Sequence, residues 1–196
     1  MKPFSKNIIF VDTEFSSLNP YKGEILSIGI VKLNGEELYL ELKYDGEVDK
    51  WVAKNIIPNL KDVKVTRKKA IAKINNFVTE KKPFMVSYVN QFDTIYLYKL
   101  FGTGKEPFHW IPIDFASILF ALGLPPESYS WENKHNFYKK IGVDYLKYRK
   151  HHALDDAKLL REVYSKFFEK YKNVKNPIKT SASDKNKFTK RRWKQK

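Results

Sequence analysis

No cysteine occurs among the 196 residues. Disulfides, thiolate metal sites and a catalytic thiol are thereby excluded. No segment approaches the roughly 20 consecutive apolar residues of a membrane-spanning helix. Met1-Lys2-Pro3-Phe4-Ser5-Lys6-Asn7 lacks the apolar run of a signal peptide. The expectation is a soluble cytoplasmic protein with no membrane partner. No internal repeat is present. Acids are scarce relative to bases: 22 Asp and Glu stand against 37 Lys and Arg, for a formal net charge of +15 and a pI near 9.7. Such a field attracts polyanions, of which nucleic acid is the commonest, although a lysine-rich surface can also serve only solubility. Apolar residues make up 42% of the chain, including 14 Phe, 12 Tyr and 4 Trp, which is enough to bury a core.

The elements follow from periodicity. Ile8-Ile9-Phe10-Val11 is a continuous apolar run, the pattern of a strand buried on both faces. Strands are expected over 25–33 and 38–42, joined by the hairpin signal Asn34-Gly35. Helices follow over 49–57, stopped by Pro58, and from the N-cap Thr66 through Val78. Strands over 83–89 and 110–113 alternate with helices ending at Leu100 and spanning 114–122, 131–140 and 153–171. Hairpins first and alternating strands and helices later give an α/β protein. Its sheet is mixed and five-stranded: a three-stranded antiparallel meander plus parallel strands, with helices on both faces. Residues 172–196 hold ten Lys or Arg and one acid. With Pro177 and Thr180-Ser181-Ala182-Ser183, they read as a flexible basic tail after a catalytic domain spanning 1–171. Phe188 and Trp193 could stack there on bases.

Three acidic stretches occur in order: Val11-Asp12-Thr13-Glu14-Phe15, Asn90-Gln91-Phe92-Asp93 and His151-His152-Ala153-Leu154-Asp155-Asp156-Ala157. Residues two apart on a strand point the same way, so Asp12 and Glu14 share a face. Each acid alone has an ordinary reading: a strand-end turn, a helix cap at Asp93, favourable first-turn charges at Asp155 and Asp156. Gathered at one sheet edge they make a site for two divalent cations, since clustered carboxylates repel unless cations lie among them. Hard ions such as Mg2+ or Mn2+ take oxygen ligands. On a basic chain, that chemistry suits phosphodiester cleavage.

At these residues the chain resembles the DEDDh family of 3′–5′ exonucleases, which includes RNase T, oligoribonuclease, RNase AS and the proofreading subunit of bacterial replicative polymerase. Asp12-Thr13-Glu14 with Leu18-Asn19-Pro20 resembles the first motif, Phe92-Asp93 the second, and His151-x-Ala153-Leu154-x-Asp156-Ala157 the third. The resemblance spans residues 8–171 and implies a ribonuclease H-like fold. It implies two Mg2+ or Mn2+ held by Asp12, Glu14, Asp93 and Asp156. It also implies that His151, five residues before Asp156, is the general base; His152 occupies the position of the tyrosine used by a sister subgroup. Leu18 matches the residue that wedges against the terminal base, and Thr13, Phe15 and Phe92 complete the expected substrate contacts. Phe15 and Ser17 stand where Thr and Gly are common, and Tyr88-Val89-Asn90 where His-Asn-Ala is frequent. Trp51-Val52 with Asn55-Ile56-Ile57-Pro58 is similar to a segment of RNase AS-like exoribonucleases and favours RNA over DNA. The expected function is metal-dependent removal of nucleotides from single-stranded or frayed 3′ ends. Homodimers are common among small relatives. Two other readings compete. A nucleic-acid-binding module that lost catalysis would not need all five functional positions filled. A ribonuclease H-like endonuclease using carboxylates alone would not need His151 or Leu18.

Overall fold

The computed structural model describes residues 3–79, 82–129 and 134–171. The expected basic tail, 172–196, lies outside the described residues.

The apolar run at the start becomes β1 (Ile8–Phe15), the middle strand of the sheet. Its neighbours are β2 (Ile25–Lys32) and β3 (Glu37–Glu41) on one side, and β4 (Phe84–Ser87) and β5 (Ile113–Asp114) on the other. The strand order is β3-β2-β1-β4-β5. The first three strands form the expected antiparallel meander, and β4 and β5 run parallel to β1. The reversal at Asn34-Gly35 is wider than a two-residue loop. Gly35 N–H donates to the Lys32 carbonyl at 2.9 Å, with Gly35 at φ +100°, a conformation that favours glycine.

Helices cover both faces because β1 is apolar on both. Ile9 and Val11 pack toward α2 (Arg67–Phe77) and α3 (Gln91–Phe101). Ile8 and Phe10 pack toward α4 (Phe115–Ala121), α5 (Lys134–Ile141) and α6 (Ala153–Tyr171). Burying a side chain the size of Phe10, which is fully enclosed, stabilises the fold by about 1.5–3 kcal/mol. Thr66 caps α2 through its hydroxyl, as its position suggests.

Three boundaries differ from expectation by two residues or more; the strand expected to run to Val89 stops at Ser87, before Val89 turns left-handed at φ +57°. The helix before Pro58 ends early: α1 (Lys50–Asn55) gives way to a 3-10 turn, Ile57–Asn59, with the proline near its start, where a missing N–H costs nothing. The last strand begins at Ile113 rather than Trp110. Pro112 cannot donate to a ladder, and Trp110 stands out in solvent at 73% exposure.

One glycine sets the sheet-to-helix distance. Gly29 pairs with Asp12 across the β1–β2 ladder, and a Cβ there would lie 2.3 Å from the Ala153 backbone. Its absence lets the start of α6 settle onto the sheet directly beside Asp12.

Candidate active site

Strand alternation puts Asp12 and Glu14 on the α6 face, in line with Ile8 and Phe10, and Thr13 on the α3 face. The β1–β2 register shifts between Glu14 and Phe15, so the ladder is irregular at the acids. Asp156 descends from the first turns of α6. Carboxylate oxygens of Asp12, Glu14 and Asp156 all lie within 4.8 Å of one another. Asp93, in the first turn of α3, stands beside this set. Its Oδ1 accepts the Thr13 backbone N–H at 2.9 Å and the Thr13 hydroxyl at 2.7 Å. Thr13, expected among the substrate contacts, therefore spends its hydroxyl on holding Asp93. Asp156 is held as well: its Oδ2 accepts the His152 N–H at 3.2 Å.

The electrostatics match the geometry. Burial first, and then the charges of Asp156, Asp93 and Glu14, push Asp12 well above the usual carboxylate range. Glu14 is raised to about 8 by burial and by Asp156 and Asp93. Burial lifts Asp93 to about 7, against the opposing hydrogen bonds from Thr13. Asp156 is likewise raised to about 7 by burial, opposed by the His152 N–H. Four acids forced to share one partly dry place each resist ionisation. A divalent cation reverses that preference by stabilising the ionised forms. The donors are all oxygen, with neither thiol nor imidazole among the three closest, so the site fits a hard ion such as Mg2+ or Mn2+.

His151 lines the same cavity as Asp12 and Asp156. Its backbone is left-handed, at φ +56°, an uncommon conformation for a side chain other than glycine. Asn59 secures it: the side-chain amide donates to the His151 carbonyl at 3.1 Å and to the Asn55 carbonyl at 3.1 Å. The segment after Asn59 is anchored in turn by buried Glu41, which accepts the N–H groups of Lys61 at 2.8 Å and Asp62 at 3.0 Å. The Trp51 ring meets the imidazole edge-on at 5.0 Å. Burial and Lys150 lower the proton affinity of His151, which favours the neutral imidazole that a general base requires. The rival His152 is turned elsewhere. It is buried, stacked on Tyr39 at 4.5 Å, and absent from the cavity lining. Asp155 is also turned away, in an ion pair with Arg149 at 2.6 Å.

Leu18 projects from the β1–β2 loop at 64% exposure. That loop is tied to α3 by Lys99, which donates to the Pro20 carbonyl at 2.8 Å, and by Tyr96, whose hydroxyl donates to the Ser17 carbonyl. Phe15 and Phe92, both half-buried, lie 5.8 Å apart, and Phe15 stacks on Tyr96 at 4.5 Å. Gly29, Asn59, Glu41 and Tyr96 carry no sequence signal of this kind. The one hint is that Asn55 and Pro58 flank Asn59 in the segment similar to RNase AS.

A family model described as the RNase T exonuclease matches residues 9–164. No curated protein matches the chain. Among solved structures, the zinc-bound complex of E. coli exonuclease I with single-stranded DNA has a TM-score of 0.64 and 17% identity, covering 83% of this chain and 40% of that one. The nuclease domain of 3′hExo, a DEDDh family member bound to rAMP, has a TM-score of 0.63 and 15% identity, covering 83% of this chain and 92% of that one. Exonuclease I with a dT13 oligonucleotide gives 0.62 and 17%, with 83% and 40% covered. The chain thus spans well under half of exonuclease I but nearly all of the 3′hExo nuclease domain. These likenesses establish the ribonuclease H-like fold, and the family model establishes kinship. With its match running through all three acidic stretches, the chain belongs to the RNase T exonuclease family.

Proposed function

We propose that the protein is a metal-dependent exonuclease that removes nucleotides from the 3′ end of single-stranded or frayed nucleic acid, with RNA favoured over DNA. The observation that carries this reading is the convergence of Asp12, Glu14 and Asp156 within 4.8 Å, with Asp93 beside them and His151 on the same cavity. In this reading Asp12, Glu14 and Asp156, with Asp93 beside them, would hold two Mg2+ or Mn2+ ions. When bound, the ions supply positive charge to the attacking and leaving oxygens of the phosphodiester.

The residues of the chain do the rest. His151 accepts a proton from the attacking water as its oxygen bonds to phosphorus and the bond to the 3′ oxygen breaks. The leaving oxygen takes a proton from solvent. A nucleoside 5′-monophosphate departs, and the strand, one unit shorter, again ends in a 3′ hydroxyl. Leu18, exposed on its tethered loop, suits a wedge against the terminal base. Phe15 and Phe92 form an aromatic wall at the start of α3. The basic tail, 172–196, would gather substrate through its charge. No helix among the described residues is long and apolar enough to cross a membrane. A cytoplasmic enzyme, alone or as a homodimer, is the setting this reading supposes. The lean toward RNA rests on the segment around Trp51 and Asn55. The neighbours carry both chemistries, rAMP on 3′hExo and DNA on exonuclease I.

The test uses 5′-labelled RNA and DNA, each single-stranded, blunt and 3′-recessed, with Mg2+ or Mn2+. A ladder shortening one nucleotide at a time from the 3′ end, faster on RNA, supports the reading. Internal cuts without a ladder point to an endonuclease. Binding without cleavage under either metal points to a silent binding module.

A further inference from the structure

His151 and His152 are neighbours in the chain, yet one lines the cavity of the acids and the other is buried against Tyr39. What separates them is the turn at His151, whose φ of +56° redirects the chain just before α6 begins. An L side chain resists that conformation, so it persists only where surrounding structure holds it. The hold comes from a strap, residues 49–62, that runs along the ends of the first three strands. Asp49 N–H donates to the Ser16 carbonyl at 2.9 Å, just past β1. Val52 and Ile56 pack on Leu26 at the start of β2. Glu41, at the end of β3 and 1% exposed, accepts the N–H groups of Lys61 and Asp62. The strap is thus tied at both ends to the sheet that carries Asp12 and Glu14.

Asn59 stands near the end of this strap, in the 3-10 turn after α1. Its side-chain amide donates to three carbonyls: Asn55 at 3.1 Å, His151 at 3.1 Å and Lys150 at 3.4 Å. The bond to Asn55 serves the strap itself, and a residue with no further role would stop there. The other two reach positions 91 and 92 residues away. The Lys150 and His151 carbonyls belong to the two peptide groups that flank the His151 Cα. Each peptide group is planar, so holding both fixes φ and ψ at His151. We propose that Asn59 is a positioning residue for the base: by gripping both peptide groups around His151, it makes His151 rather than His152 face the acids. This assignment rests on the exonuclease reading above. Asn59 does not line the cavity, so its effect on cleavage passes through His151.

The test is a double-mutant cycle on the whole chain, read as single-turnover cleavage of a labelled single strand under Mn2+. Asn59→Ala should slow cleavage about tenfold, the span that a lost pair of hydrogen bonds commands, with Kd by fluorescence anisotropy unchanged. In a His151→Ala background the same substitution should cause no further loss, because a residue that acts through the base has no effect once the base is gone. Asn59→Asp, nearly isosteric but without the donor, repeats the measurement if the alanine variant does not fold. An undiminished rate in a folded Asn59 variant, an equal loss in both backgrounds, or a loss of Kd in place of rate would overturn the assignment. A second readout needs no turnover. The His151 ring lies 5.0 Å from the Trp51 ring, edge to face, so its imidazole C–H resonance carries the ring current of the indole. That resonance, identified by its absence from the spectrum of His151→Ala, should move toward the position of an exposed histidine in the Asn59 variant. An unmoved resonance would likewise overturn the assignment. Failure of the exonuclease reading is a separate outcome: no variant would release a mononucleotide, while the resonance would still report whether Asn59 holds His151.

Discussion

Removing the charge of Glu14 should make the metal-free protein less sensitive to rising pH, and the sign and size follow from the site. Folding raises Glu14 to about 8 and Asp93 and Asp156 to about 7, with Asp12 shifted in the same direction. The unfolded chain has ordinary carboxylates, ionised above about pH 5. Between those limits the folded protein holds protons that the unfolded chain has released. Stability therefore falls as pH rises. Each proton so held costs about 1.4 kcal/mol per pH unit. His151 and His152 act in the opposite direction, because burial lowers their proton affinity, but only up to about pH 6.5. Above that the acids act alone. From about pH 6.5 to about pH 8, one retained proton amounts to roughly 2 kcal/mol, or about 4–8 °C in Tm for a chain of this size. The acids share one field, so their contributions do not simply add. The assay is thermal unfolding in EDTA across this window. Wild type should lose Tm with pH, Glu14→Gln should lose less and be more stable at the alkaline end, and Mg2+ or Mn2+ should raise and flatten the wild-type curve. A wild-type Tm that is level or rises over this window in EDTA, or a Glu14→Gln protein that is less stable at the alkaline end, would refute the reasoning.

Other expectations are direct. Thr13→Val keeps the backbone N–H to Asp93 but removes the hydroxyl, and should cut kcat about tenfold or more with the fold intact, since a hydrogen bond to a charged group contributes about 1.5–3 kcal/mol; circular dichroism with steady-state kinetics checks it. Wild-type cleavage should rise with pH through a titration below about pH 6.5 and then level off. His151→Ala should lose that limb together with most of the rate, and an unchanged profile would remove its role as base. Truncation after Tyr171 should weaken strand binding and flatten its salt dependence more than it slows single-turnover cleavage. An unaltered salt slope would mean that the tail does not touch substrate.

Much of this was legible because local patterns carried it. Ile8 to Val11 announces a buried strand, and the two-residue period places Asp12 and Glu14 on one face without any knowledge of what lies opposite. The span expected for the last helix, 153–171, is the one observed, because its apolar positions repeat over five turns. Less legible were the groups whose roles depend on distant partners. Thr13 meets Asp93 eighty residues away, and Asn59 reaches His151 across ninety-two. Neither pairing leaves a periodic trace. Gly29 looks like any strand glycine until the Ala153 backbone is placed against it. The choice between His151 and His152 was readable only through the resemblance; their opposite environments come from the left-handed turn at His151, which no propensity announces.

The most direct test is single-turnover release of 5′-mononucleotide from the labelled 3′ end of a single strand, by wild type and Asp12→Ala under Mn2+. Asp12 faces both Glu14 and Asp156, so its loss should abolish release while the variant keeps the wild-type circular dichroism spectrum. Undiminished release by folded Asp12→Ala would contradict a carboxylate-held metal centre in this protein.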